Sequence, residues 1–188
     1  MLRSIFLLLC STWLAGAQTC LPSGITFNTQ GSIDSFSINY PGCTHIGGLV
    51  YISGPSINNL NGLNSLEQID GNLVIQLNPQ LVKLEGLEGL KSVYSVIISS
   101  NASLAGISAL NNLQSAFGIG IYSNDVLKKI NSFNHLTSLS QSLILSNNTL
   151  LDTINGFDSL IHIGIDLNIT NCVALKSFNA FFQLQSIG

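Results

Sequence analysis

Apolar residues follow two different periods along this chain, and the combination returns at regular intervals. In the stretch GNLVIQLNPQLVKLEGLEGLKSV, residues 71–93, apolar side chains first occupy every second position and then every third. An apolar-x-apolar triplet is typical of a short strand that turns two side chains inward. Steps of three with glycine and asparagine between them suit a coiled, polygonal backbone better than a regular α-helix.

Six copies of this pattern run through the chain. They begin at Val50, Leu73, Val96, Ile119, Leu143 and Leu167, and the first fits with one residue fewer. The most regular apolar columns, read from copy to copy, are Leu63, Leu87, Leu110, Phe133, Phe157, Phe181 and Leu66, Leu90, Leu113, Leu136, Leu160, Leu184. A fixed period of this length is the signature of a repeat architecture. The sequence therefore predicts a mainly β solenoid of about six coils, each of 23–24 residues.

Stacking explains why such a repeat folds. One coil cannot bury its own apolar edge, but coils stacked about 4.8 Å apart bury it and pair their strands as parallel sheets. Six coils would form a rod of roughly 29 Å by that spacing.

A column of asparagines follows the strand in most copies. It contains Asn78, Asn101, Asn124 and Asn148, with Cys172 in the last copy and Gly54 roughly opposite in the first. An inward asparagine at a corner can bond the backbone groups that the corner leaves unpaired, and stacked asparagines can bond one another. We expect a structural role for this column, with Cys172 as a small buried side chain rather than a reactive thiol.

Residues 1–17 are predicted to be a secretory signal peptide. Arg3 precedes an apolar run, and the small residues Ala15 and Ala17 suit a cut before Gln18. The run is short for the alternative, a membrane anchor. The sequence therefore predicts a secreted or cell-surface protein.

Secretion changes the interpretation of the cysteines. Cys10 would leave with the signal peptide, whereas Cys20, Cys43 and Cys172 remain. In an oxidising compartment Cys20 and Cys43 could close a loop of roughly two dozen residues, which would stabilise the fold by about 3 kcal/mol.

Composition narrows the possible partners. The chain is 46% hydrophobic but only 8% charged, against roughly 25% in an ordinary soluble domain. Twenty asparagines supply much of the polar surface, and no apolar run after the N-terminus is long enough to span a membrane. The net charge of -3 gives no basic footprint for nucleic acid. We expect no nucleic-acid partner and no membrane span.

The segment from Cys43 to Gly54, CTHIGGLVYISG, together with the next strand up to Ile75, resembles the receptor L domain. This module occurs in the ectodomains of the insulin and epidermal growth factor receptors and in secreted bacterial surface proteins. Its first strand matches Gly48, Val50 and Ile52, and its upstream cysteine matches Cys20. The resemblance is specific over residues 43–75 and is that of a general leucine-rich repeat beyond.

The resemblance implies a single-stranded right-handed β-helix that serves binding or adhesion. It also implies that residues 18–46 form an N-terminal capping segment before an L-domain-like solenoid over residues 47–188. The family usually closes with a C-terminal cap, which the copy ending near Gly188 lacks. We therefore expect a truncated solenoid with further domains on the C-terminal side.

Catalytic chemistry finds little support in the sequence. β-Helix enzymes that cleave polysaccharides need clustered carboxylates or a basic residue beside them. The nine acids form no column, and His45, His135 and His162 show no metal-ligand spacing. We expect no enzyme activity, no cofactor and no metal, while a carbohydrate-active β-helix enzyme remains an alternative.

The middle residue of each strand triplet should face outward. Tyr51, Val74, Ile97 and Ile144 would then form an exposed apolar stripe on a flat sheet. Such a stripe often marks an interaction site, although packing against another domain would explain it equally. The hypothesis is a recognition or adhesion module for an unidentified extracellular protein or glycan, with a purely structural spacer as another alternative.

Overall fold

A computed structural model describes residues 19–188, so the predicted signal peptide and Cys10 lie outside the described residues. The protein is mainly β, with parallel strands stacked as a solenoid of about seven turns and few helices. The predicted fold class is confirmed, with one turn more than the six predicted copies.

Three parallel sheets run along the solenoid. The large sheet contains nine strands: Thr19–Cys20, Ile25–Phe27, His45–Ile46, Val50–Ile52, Gln68–Gln76, Ser92–Ser99, Gly118–Tyr122, Leu143–Ser146 and Leu167–Thr170. A second sheet has the four strands Gly106–Ile107, Lys129–Ile130, Thr153–Gly156 and Ser177–Ala180. A third has Ser138–Leu139, His162–Ile163 and Ser186–Ile187.

The repeat columns become the core. Leu73 pairs with Val96 and Val96 with Ile119, so equivalent residues lie one strand apart. The inward members of the strands and the leucine and phenylalanine columns are buried in one continuous hydrophobic cluster. Each coil therefore buries its apolar edge against its neighbours, as the periodicity predicts.

The segment expected to be a cap is itself the additional turn. Ile25–Phe27 pairs in parallel with Val50–Ile52, so residues 18–46 begin with strands of the same sheet. Two short helices then replace the usual turns, Gln30–Asp34 and Phe36–Asn39. A single 3₁₀ turn, Asn61–Leu63, lies in the next coil.

The first helix has a complete N-terminal cap. The Thr29 side chain accepts a hydrogen bond from the Ser32 backbone N–H, and Ser32 returns one to the Thr29 backbone. Phe36, from the second helix, is buried and makes an edge-on contact with Phe27, their ring centroids 5.8 Å apart. The helices thus cover the end of the core with apolar side chains.

A disulfide joins Cys20 to Cys43, as predicted. The two Cα atoms lie 5.9 Å apart, within the usual range for a disulfide. The bridge connects the beginning and the end of the first coil, at the point where Thr19–Cys20 pairs with His45–Ile46. It therefore holds the helical coil against the regular ones.

Within residues 19–188, no helix is long and apolar enough to cross a membrane.

Candidate functional site

The asparagine column forms a buried hydrogen-bonded ladder. Asn78, Asn101, Asn124 and Asn148 are all fully buried. Each side-chain oxygen accepts a hydrogen bond from the backbone N–H of the column residue one coil earlier, beginning with Gly54, at 2.9–3.2 Å. Each side-chain amide donates to a strand carbonyl of the preceding coil, at 2.9–3.1 Å.

The corner beside the ladder explains why these groups need partners. The residue before each asparagine, such as Leu77 or Ser100, has a positive φ of 50–56°. This conformation turns the chain out of the strand, and backbone groups at the turn are left without sheet partners. The asparagine amides bond them, so the ladder has a structural function.

Cys172 occupies the next position of the column but is only half-buried, in contrast to the buried side chain that we expected. Its outer side carries no further coil within residues 19–188. Burial still raises the pKa of the thiol. A protonated thiol is a poor nucleophile, which agrees with a structural position.

Replacement of Cys172 by asparagine is expected to stabilise the protein by about 1 kcal/mol. The new amide would extend the ladder, accepting from the Asn148 backbone N–H and donating to the Leu145 carbonyl, which the thiol now contacts at 3.8 Å. Urea denaturation of the two proteins measures the difference. Cys172→Ser is the control, because a hydroxyl is too short to make both bonds; equal stability of all three would contradict the prediction.

The predicted apolar stripe is less exposed than we expected. Tyr51, Ile97 and Ile144 are partly exposed on the outer face of the large sheet, but Val74 is only 9% exposed. Val74 lies in register between Tyr51 and Ile97, so larger side chains about 4.8 Å away on both sides shield it. The prediction of an exposed Val74 was wrong.

Tyr122 interrupts the same stripe. The stripe position between Ile97 and Ile144 is Gly120, and a Cβ there would overlap the Tyr122 hydroxyl. The tyrosine ring therefore lies back over the glycine, and its partial burial raises the pKa of the phenol. The outer face thus carries an aromatic ring where the stripe has no side chain.

A pair of aromatic side chains lies beside this face. Tyr94 and Phe117 are neighbours in adjacent coils, and their rings stack with centroids 4.8 Å apart and an interplanar angle of 22°. Tyr94 remains 51% exposed. The strand register used to predict the stripe begins two residues later, at Val96, and therefore missed both rings.

A groove of about 360 Å³ separates the aromatic pair from the stripe. Its lining contains Asn72, Tyr94, Ser95, Val96, Ile97, Phe117, Gly118, Ile119, Gly120, Tyr122, Gln141, Ser142 and Ile144. Of the predicted face, Ile97 and Ile144 line the groove, whereas Tyr51 and Val74 do not. Volumes of this size are typical of sites for small molecules.

A second groove of about 290 Å³ lies on the other side of the aromatic pair. It is lined by Tyr94 and Phe117 again, and by Asp70 at its edge. Hydrogen bonds from Gln68, and then from His45, hold the pKa of Asp70 below its usual value. This carboxylate is therefore already engaged by neighbours in the fold.

The remaining polar residues do not converge. Among residues 19–188, no group of three or more histidine, cysteine or acidic side chains is placed to hold a metal ion. His135 and His162 lie exposed and bond to single neighbours in the adjacent coil, Asn111 and Ser186. The grooves beside Tyr94 and Phe117 are the strongest candidate for a binding site.

No protein-family model matches the chain, and neither a curated protein nor a solved structure matches it.

Proposed function

We propose that this protein is a secreted or cell-surface recognition module of the receptor L domain type. It binds an extracellular protein or glycan through the outer face of its large sheet. The proposal of secretion depends on the predicted signal peptide, and the Cys20–Cys43 disulfide agrees with an oxidising compartment. No catalytic role is proposed.

The observation that carries the proposal is the groove beside an exposed aromatic pair. Aromatic side chains with a free surface are enriched at binding sites, because they bury much apolar area at little cost in side-chain entropy. Here Tyr94 is half-exposed next to a groove that crosses several coils. The parallel strands beneath hold these side chains at fixed spacing, so the surface needs little reorganisation on binding.

Replacement of Ile97 by lysine is expected to abolish binding while the protein stays folded. Ile97 is partly exposed at the groove, so a lysine stem can lie along the sheet with its charge in water, and stability should change by no more than about 1 kcal/mol. The bound partner would instead meet an unpaired charge in an apolar contact. Binding is measured on arrays of extracellular proteins and of glycans.

Asn155→Lys is the matched control. Asn155 is exposed on the four-stranded sheet, so this variant adds the same charge on a different face. Retained binding in Asn155→Lys together with loss in Ile97→Lys supports the proposal. If Ile97→Lys unfolds, or if both variants bind equally well, the outer face of the large sheet is not the binding surface.

The two alternatives predict other outcomes. A carbohydrate-active enzyme would release reducing ends from a polysaccharide, and that release would depend on an acid such as Asp70. A structural spacer would bind nothing on either array.

A further inference from the structure

Two coils take a shorter path around one corner of the solenoid. Ile69 pairs with Val93, 24 residues on, but after the corner Asn72 pairs with Ser95, only 23 residues on. The shift is reversed two coils later, where Ala116 bridges to Leu139 but Ile119 pairs with Leu143. The two coils between these shifts therefore lack one corner residue that both flanking coils have.

Tyr94 and Phe117 are the single corner residues of these two short coils. The preceding coil has Asp70 and Gly71 at this corner, and the following coil has two corner residues, 140 and 141. The aromatic pair therefore occupies a recess between two fuller corners. Because a glycine stands in the coil before Tyr94, the ring face that does not stack on Phe117 is left open, in agreement with its 51% exposure.

The larger groove beside this recess is lined without a single charged side chain. It offers amides from Asn72 and Gln141 and hydroxyls from Ser95 and Ser142. The Asn72 side-chain oxygen is buried and has no hydrogen-bond partner among residues 19–188. From Asn72 to Ser142 the groove crosses four coils, about 14 Å by the strand spacing.

We propose that this groove binds a neutral oligosaccharide, with one sugar ring stacked on the open face of Tyr94. This inference rests on the proposed function and specifies its ligand. The axial C–H groups on one side of a pyranose are weakly positive and suit the negative face of an aromatic ring. Amides and hydroxyls donate and accept in the paired manner that sugar hydroxyls require.

Other ligand classes fit the groove less well. A phosphate, sulfate or carboxylate would be desolvated beside neutral side chains, with no cation among the lining residues to compensate. A cationic segment would find no acid in this groove, because Asp70 lies on the other side of the aromatic pair and is bound to Gln68 and His45. The length of the groove exceeds one pyranose ring, which favours an oligosaccharide.

The test is binding of the full chain to an array of neutral and anionic oligosaccharides, followed by titration with the neutral glycan that gives the strongest signal. We expect binding to at least one neutral glycan. Tyr94→Ala should weaken it by about tenfold or more, since stacking and the buried ring area are lost together. Gln141→Ala removes only exposed polar atoms and should also weaken it, without any loss of stability.

Phe182→Ala provides the control, because Phe182 is an exposed aromatic residue that lines neither groove. Its affinity should equal that of the wild type. The inference is overturned if no neutral glycan binds, if only anionic glycans bind, or if Tyr94→Ala and Gln141→Ala bind as tightly as the wild type. If a protein partner nevertheless binds and Ile97→Lys abolishes that binding, the proposed function stands and only its saccharide ligand is wrong.

Discussion

Replacement of Asn101 by alanine is expected to destabilise the protein by about 3–5 kcal/mol, since several buried groups lose their partners at about 1–3 kcal/mol each. The Asn101 oxygen accepts from both the backbone and the side-chain N–H groups of Asn78, at 3.2 and 3.0 Å. Its amide donates to the Ile75 carbonyl at 3.0 Å. Alanine replaces none of these bonds, and the closed core admits little water. Urea denaturation measures the loss.

Asn155→Ala is the matched control, because it removes an exposed strand asparagine and should change stability by less than about 0.5 kcal/mol. Asn101→Asp keeps the acceptor but loses both donors and places a charge in the core, so it should be at least as unstable as the alanine variant. A loss below about 1 kcal/mol in Asn101→Ala would show that the ladder contributes little to stability.

Replacement of Phe157 by alanine should destabilise the protein by about 4 kcal/mol. The ring is fully buried and stacks between Phe133 and Phe181, with centroids 4.9 and 5.1 Å away and interplanar angles of 14° in both cases. The substitution leaves a cavity and removes two aromatic contacts. The left-handed backbone at this position, φ 60°, affects both residues alike because both carry a Cβ.

Chemical denaturation of Phe157→Ala is compared with that of Phe182→Ala, in which the lost ring is 71% exposed. The exposed variant should stay within about 0.5 kcal/mol of the wild type. Similar losses in both variants would mean that the phenylalanine column adds no more than surface packing does.

The repeat alone predicts much of this fold. The triplets beginning at Leu73, Val96 and Ile119 align in register in the sheet, as their spacing requires. The asparagine column could be predicted because buried amides at a fixed place in each coil have few roles other than bonding the corner backbone. Residues 18–46 were harder to interpret, since helices replace the repeat pattern after Ile25–Phe27.

The candidate site was predicted only in part. Alternation correctly turned Ile97 and Ile144 outward, but it does not show how far neighbours shield a position, so Val74 was misjudged. Tyr94 and Phe117 precede the triplets, where no periodic pattern marks them. The available signal was the change in copy spacing from 24 to 23 residues, visible in the sequence but without meaning until the corner is located.

The sequence by itself determined the solenoid, its register and its asparagine ladder. These depend on contacts between equivalent residues of adjacent coils, and a repeat prints those contacts directly as columns. Only the tertiary structure decided which outward side chains are open to solvent and which two corners are short. Exposure depends on the sizes of side chains in neighbouring coils, and the recess around Tyr94 and Phe117 depends on the path of the backbone around the corner.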